Sequence, residues 1–360
     1  GASTLAAVTA TGGSIGNITL SNAGNSTLTA ADFVTTNTGN IAITANSVGG
    51  NGAVTVTDFG NVGGTVGTLG VTATGAGANV TFGTGLATAN TIGNVTVAQT
   101  AANTVALGTM GVGTGSIGNV TVSGTGTAFS MTTGNVLNIG DIVATGYTGT
   151  TNITLAAATV IGVNFAGGAG ADTFTGTGGA DSILSAGGPD VIVGGAGGDN
   201  ITGGEGADTI TGGAGNDVIV LTETTSAADD VVFSANAAAN GVDTITGFTT
   251  LVDDINVDAF GTAAAVTVVT GVQTNTVNNV YFLGGQAAGA ADSIGGSVTA
   301  LAAAGTWTDA AVLSYIVIAD TNSSAVYSYT GDAGGNDFTA AEFTLMGTVD
   351  AVLVAGDIVF

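Results

Sequence analysis

Much of this chain is written in two-residue alternation. Ile18-Thr19-Leu20, Val95-Thr96-Val97 and Val120-Thr121-Val122 each place a threonine between two large apolar residues. A period of two puts the apolar side chains on one face of a strand and the threonines on the other. A Gly-Asn pair precedes each run. Ser14-Ile15-Gly16-Asn17-Ile18-Thr19-Leu20 returns as Thr91-Ile92-Gly93-Asn94-Val95-Thr96-Val97 and as Ser116-Ile117-Gly118-Asn119-Val120-Thr121-Val122. Related phrases are Gly39-Asn40-Ile41-Ala42-Ile43-Thr44 and Gly52-Ala53-Val54-Thr55-Val56-Thr57. Gly and Asn favour the turn, and Val, Ile and Thr the strand. Clear copies stand 23 residues apart (Asn17 to Asn40) and 25 apart (Asn94 to Asn119). That interval fits one coil of a β-solenoid, in which each coil covers the next. A β-sandwich also yields short strands but requires no recurring phrase.

From residue 167 to 220 the pattern tightens into six nonapeptides: GGAGADTFT, GTGGADSIL, SAGGPDVIV, GGAGGDNIT, GGEGADTIT and GGAGNDVIV. The sixth position is always aspartate: Asp172, Asp181, Asp190, Asp199, Asp208 and Asp217. The eighth is always large and apolar: Phe174, Ile183, Ile192, Ile201, Ile210 and Ile219. A six-residue turn and a three-residue strand make half a coil, so two nonapeptides make one coil. Residues eighteen apart then stack at the strand spacing of ~4.8 Å. Asp172, Asp190 and Asp208 are expected on one edge, and Asp181, Asp199 and Asp217 on the other.

Residues 221–360 repeat less. Strand-like runs occur at 280–283, 313–318 and 325–329, and residues 297–304 read as a short helical segment. The expected organisation is a solenoid-like region (1–166), a β-roll (167–220) and a mostly β C-terminal cap (221–360). The fold class is all-β, a parallel β-solenoid and β-roll.

Composition narrows the chemistry. The 360 residues include 25 acids and no Lys, Arg or His, for a formal charge of −25, yet 44% are hydrophobic and only 7% charged. That is not a disordered acidic tail. The acids are uneven: residues 1–166 hold only Asp32, Asp58 and Asp141, and the other 22 follow from Asp172 on. Without bases there is no footprint for nucleic acid, and an anionic membrane surface would repel the chain. No apolar run reaches the ~18 residues of a membrane span. Without cysteine there is no disulfide or thiolate chemistry. Without histidine there is no Ser-His-Asp triad and no H-E-x-x-H zinc site. Paired carboxylates as glycosidase groups are outweighed by their reading as cation ligands or solvated loops. No enzyme is expected.

Stacked carboxylates need a cation. Two of them ~5 Å apart repel by roughly 3 kcal/mol at an effective dielectric of ~20. Calcium is hard and takes six to eight oxygens, which aspartates and turn carbonyls supply. Zinc prefers nitrogen and sulfur, and magnesium demands a stricter octahedron. The turn glycines Gly168, Gly170, Gly195, Gly197, Gly204, Gly206, Gly213 and Gly215 permit left-handed dihedrals that aim those carbonyls inward.

These nonapeptides resemble the RTX repeat GGxGxDxUx, which implies a calcium-binding parallel β-roll whose ligands map onto the six aspartates and their turn carbonyls. Thr177, Ser185-Ala186 and Pro189 depart from the pattern and put calcium near Asp181 and Asp190 in question. The resemblance extends weakly to Asp243–Phe248 and to Asp253-Asp254-Ile255, which look like segments that follow such repeats. Asp229-Asp230 is a similar acidic pair. The loop carrying Asp332 and Asp337 is read as either a further calcium loop or a plain acidic turn. The terminal Asp357-Ile358-Val359-Phe360 reads as a type I secretion signal or as an ordinary last strand. The N-terminus has neither signal-peptide features nor an initiator Met, so a fragment or processed chain exported directly is expected.

As a whole the chain resembles RTX-type bacterial surface-layer proteins, that of Caulobacter among them. The resemblance implies a secreted cell-surface protein whose partners are copies of itself in a calcium-dependent lattice, with cell-surface polysaccharide as a further partner. The alternative is a piece of a large RTX adhesin that binds a glycan, a surface or ice through Thr-x-Thr arrays. Asn-x-Thr at Asn17, Asn79, Asn94, Asn119, Asn152 and Asn200 reads as turn chemistry rather than glycosylation.

Overall fold

The structure is a computed structural model. It describes residues 3–5, 8–9, 14–23, 27–30, 33–34, 37–47, 52–56, 64–83, 91–100, 102–111, 115–157, 159, 161–233, 240–257, 266–268, 273–274, 280–283, 307–308, 313–319, 323–330 and 343–359. The helical segment expected at 297–304 and the loop of Asp332 and Asp337 lie outside them. Among the described residues no helix is long and apolar enough to cross a membrane. The chain divides into two compact units, Gly1–Ala196 and Gly197–Phe360.

The first unit is built from parallel strands stacked coil upon coil. Each early coil contributes a two-residue strand, a longer strand and a third strand to three separate sheets, as in Ser116–Ile117, Val120–Gly124 and Ala128–Thr133. Val95–Gln99 lies between Leu69–Thr74 and Val120–Gly124, with Val95 opposite both Leu69 and Val120. The alternation therefore survives stacking. Ile41, Leu69, Val95, Val120 and Ile142 form one buried column, while Thr96 and Thr121 stay exposed. This column stabilises each coil only through its neighbours, at roughly 2 kcal/mol for each buried Val, Leu or Ile.

The short-strand sheet ends at Asn138–Ile139. Ile142 still pairs with Phe165, 23 residues on, but Phe165 pairs with Ile183, 18 residues on. Losing one strand and one turn per coil accounts for the shortening. Two sheets remain, with Phe174 facing Ile192 in one and Phe165 facing Ile183 in the other. Phe165 and Phe174 stack at a 4.3 Å centroid distance across the narrowed interior. The eighteen-residue coil expected of the nonapeptides is the observed one.

The second unit is built from two-strand coils of its own. Ile201 pairs with Ile219, Ile219 with Ile245, Ile210 with Val231, and Val231 with Ile255. All of these side chains are buried. One sheet then takes Ile358–Val359 beside Asp254–Asn256. The other takes Phe343–Val349 parallel to Asp243–Thr246, and then turns antiparallel through Ser324–Thr330 and Leu313–Ala319. Beyond them the same sheet adds Val280–Leu283 and Val266–Val268 in parallel, so the described part of the C-terminal region is β-rich, as expected. Tyr327 packs edge-on against Phe343 within it.

Candidate metal centre

Each sixth-position aspartate stands two residues before a buried apolar side chain, on the last residue of its turn. There its carboxylate is drawn inside. Asp172, Asp181, Asp190, Asp199, Asp208 and Asp217 are all at most 3% exposed. The ladder does not stop with the nonapeptides. Asp229, Asp243, Asp253 and Asp357 are equally buried, making ten such aspartates among the described residues. The chain carries no Lys, Arg or His to answer them.

Backbone amides answer in part. In the first unit Thr151 N–H donates to Asp172 Oδ1 at 2.8 Å, and Asp172 N–H to Asp190 Oδ1 at 2.7 Å. In the second unit two columns run. Asp199 N–H donates to Asp217 Oδ1 at 2.8 Å and Asp217 N–H to Asp243 Oδ1 at 3.1 Å. Asp208 N–H donates to Asp229 Oδ1 at 2.9 Å and Asp229 N–H to Asp253 Oδ1 at 3.1 Å. Each carboxylate thus grips the turn one coil back. Asp357 ends the series, with Oδ1 accepting from Leu251 N–H at 2.6 Å and Oδ2 from Val354 N–H at 2.7 Å.

The second oxygens divide the turns into two kinds. Asp172 Oδ2 accepts from Gly168 N–H at 2.9 Å, and Asp181 Oδ2 from Thr177 N–H at 2.7 Å. Asp217 Oδ2 and Asp229 Oδ2 are buried and accept no hydrogen bond. The backbone explains the difference for Asp217. At the second and fourth positions of the third to sixth nonapeptides φ is positive: Ala186 (80°) and Gly188 (100°), Gly195 and Gly197 (both 119°), Gly204 (102°) and Gly206 (119°), Gly213 (111°) and Gly215 (138°). In the first two nonapeptides no residue has a positive φ. The left-handed expectation therefore fails at Gly168 and Gly170. Glycine is needed there for another reason, since a Cβ would collide with the carbonyl oxygens of Tyr147 and Gly149. Ala186, a departure from the pattern, adopts the glycine conformation all the same.

Burial pushes the acids up. Desolvation raises Asp172, Asp181, Asp217 and Asp253 above the ordinary carboxylate range. It takes Asp229 to about 7, helped by repulsion from Asp208, Glu223 and Asp253. It takes Asp243 to about 8, helped by Asp217 and Asp199. Buried anions with no internal counter-charge call for an external cation.

Among the described residues no three acids converge on one point. A bound ion must therefore draw most of its shell from carbonyls, which suits calcium. The donor set fits: oxygen only, glycine-rich turns, and the buried second oxygens of Asp217 and Asp229 left without hydrogen bonds. Asp208, Asp217, Asp229 and Asp243 with the carbonyls of their turns would hold calcium, which when bound supplies the positive charge that the chain lacks. Asp253 belongs to the same column. Asp254 stands apart, on the partly exposed face of its strand in register with Asp230.

The RTX calcium-binding nonapeptide repeat model matches residues 164–192 and 184–219. Residues 164–219 are RTX repeats. Such repeats bind calcium and are generally found in secreted, extracellular proteins. No curated protein matches the chain.

Several participants escaped the sequence reading. The sequence pattern marks Asp357 as part of a terminal signal or a last strand, whereas the structure buries it at the end of the ladder. Glu223 was not singled out, yet its carboxylate accepts Gly206 N–H at 2.8 Å and Ala227 N–H at 2.6 Å. The available signal was the triplet Asp-x-apolar, which recurs at Asp229, Asp243 and Asp253 after the nine-residue period has lapsed.

Proposed function

We propose that the chain is a structural surface-layer protein, in which calcium first folds each subunit and then bridges acids of neighbouring subunits into a two-dimensional lattice on a bacterial surface. One observation carries this reading: ten aspartates are buried among the described residues and the chain has no basic residue, which calls for an external cation. Export through a type I machine suits such a chain, because a calcium-poor cytoplasm would keep the roll unfolded until the calcium-rich exterior is reached. The lack of histidine, cysteine, lysine and arginine supports a structural rather than a catalytic role. The test is calcium titration of the full chain, followed by circular dichroism and then negative-stain imaging. Ordered sheets that dissolve in EDTA are expected. A lattice unchanged by prolonged chelation would refute the reading.

One feature favours the adhesin alternative. Outward threonines stand in register across neighbouring coils, as with Thr96 beside Thr121 and Thr55 beside Thr81. Their flat hydroxyl rows suit a glycan or ice surface. Glycan-array binding or thermal hysteresis without sheet formation would favour this second reading.

A further inference from the structure

The second nonapeptide places threonine where four of the six have glycine. Thr177 is completely buried. Its Oγ1 lies 2.9 Å from Asp181 Oδ1, 3.2 Å from the Ile161 carbonyl oxygen and 3.4 Å from the Gly179 carbonyl oxygen. It also accepts a hydrogen bond from Gly179 N–H at 3.1 Å. A hydroxyl has one proton and can satisfy one of those three oxygens at a time. Two carbonyls and a carboxylate around a single point are the donor set that a hard cation gathers.

We infer that the Thr177 hydroxyl occupies the cation position of its own turn, so that the turn ending at Asp181 closes without calcium. The rest of the turn agrees. Asp181 Oδ1 accepts from Val163 N–H at 2.7 Å as well as from the hydroxyl, and Oδ2 accepts from Thr177 N–H. The turn ending at Asp217 is the contrast. Its second position is Gly213 at φ 111°, and Asp217 Oδ2 accepts no hydrogen bond. A β-branched residue is strongly disfavoured at that dihedral. The closed backbone does not itself need threonine, since Gly168 adopts it in the turn before; what threonine adds is the group that replaces the ion. Restoring glycine removes that group and leaves the two carbonyls and the carboxylate to a cation.

This inference rests on the calcium reading of the remaining turns, and the experiment separates the two. Bound calcium is counted by equilibrium dialysis of the full chain with radioactive calcium, for the native protein, Thr177→Gly and Thr177→Ser. The glycine variant is expected to bind one ion more than the native protein, and the serine variant the same number. A native chain that binds no calcium defeats both readings. A native chain that binds calcium while Thr177→Gly binds no more defeats this one alone. Thr177→Val guards against a glycine variant that misfolds, because it keeps the shape and loses the hydroxyl. In calcium its amide exchange at Gly179 should quicken roughly tenfold, because that N–H loses its hydroxyl acceptor. Exchange at the native rate would overturn the assignment.

Discussion

Two ladders of turn residues run through this protein, one of asparagine and one of aspartate. In the solenoid coils Asn40 N–H donates to Asn17 Oδ1 at 2.9 Å, Asn119 N–H to Asn94 Oδ1 at 3.1 Å, and Asp141 N–H to Asn119 Oδ1 at 3.2 Å. These amides sit at an exposed edge and reach toward the next coil. The column aspartates, Asp172 to Asp253 without Asp230, are buried and reach toward the previous one. Both side chains do the same work, satisfying a turn N–H that the sheets leave over. The neutral amide does so without a counter-charge. The buried carboxylate does so at the cost of desolvating an anion, which ties folding to calcium. The Gly of each Gly-Asn pair follows from the first ladder: a Cβ on Gly118 would fall 2.5 Å from Asn94 Oδ1.

Chelation should break the comparison most widely. In EDTA, amide exchange around Ile201, Ile210 and Ile219 is expected to lose its protection, while Val95, Val97 and Val122 keep theirs. Equal loss in both regions would show that the asparagine coils depend on the ion too.

Acid is the next lever. Asp243 and Asp229 titrate at about 8 and about 7 in the folded state, against roughly 3.9 when unfolded. A raised folded value means that the protonated form favours folding. That stability is fully present below pH ~4 and is lost as pH rises through 7 to 8. Metal-free protein should therefore gain strand signal in circular dichroism on moving from pH 8 to pH 5, whereas calcium-loaded protein should not. A metal-free signal that is flat across this range would contradict it.

Asp217→Asn would turn one rung of the second ladder into a copy of the first. Calcium affinity should fall by roughly tenfold or more, since affinity follows ligand charge. Metal-free exchange at Asp199 N–H should slow, because the amide oxygen keeps the hydrogen bond without the charge. Calorimetric titration and exchange on the same variant check both halves.

The smallest effect belongs to Asn94→Ala. It removes one exposed hydrogen bond and should cost about 1 kcal/mol, with the calcium midpoint unchanged. A shifted calcium midpoint would couple the two ladders.

The coil itself could be read from the sequence because its signals are local. Alternation of Val with Thr fixes which face is buried, and a constant nine-residue interval fixes the register. Asp-x-apolar at Asp243 and Asp253 was legible for the same reason. Asp357 was not, because 104 residues separate it from Asp253 and only the pairing of Ile358 with Ile255 brings it to the column.

The sequence alone determined an all-β chain of stacked coils, an acid at every ninth residue of the roll, and the want of any internal cation. Those follow from residue type and spacing, which act over a few bonds. Only the tertiary structure decided which carboxylates lose their water, which turns are left-handed, and that a threonine hydroxyl closes a turn that is not. Those outcomes depend on what the neighbouring coil presses against each turn, and a single strand of text does not record that.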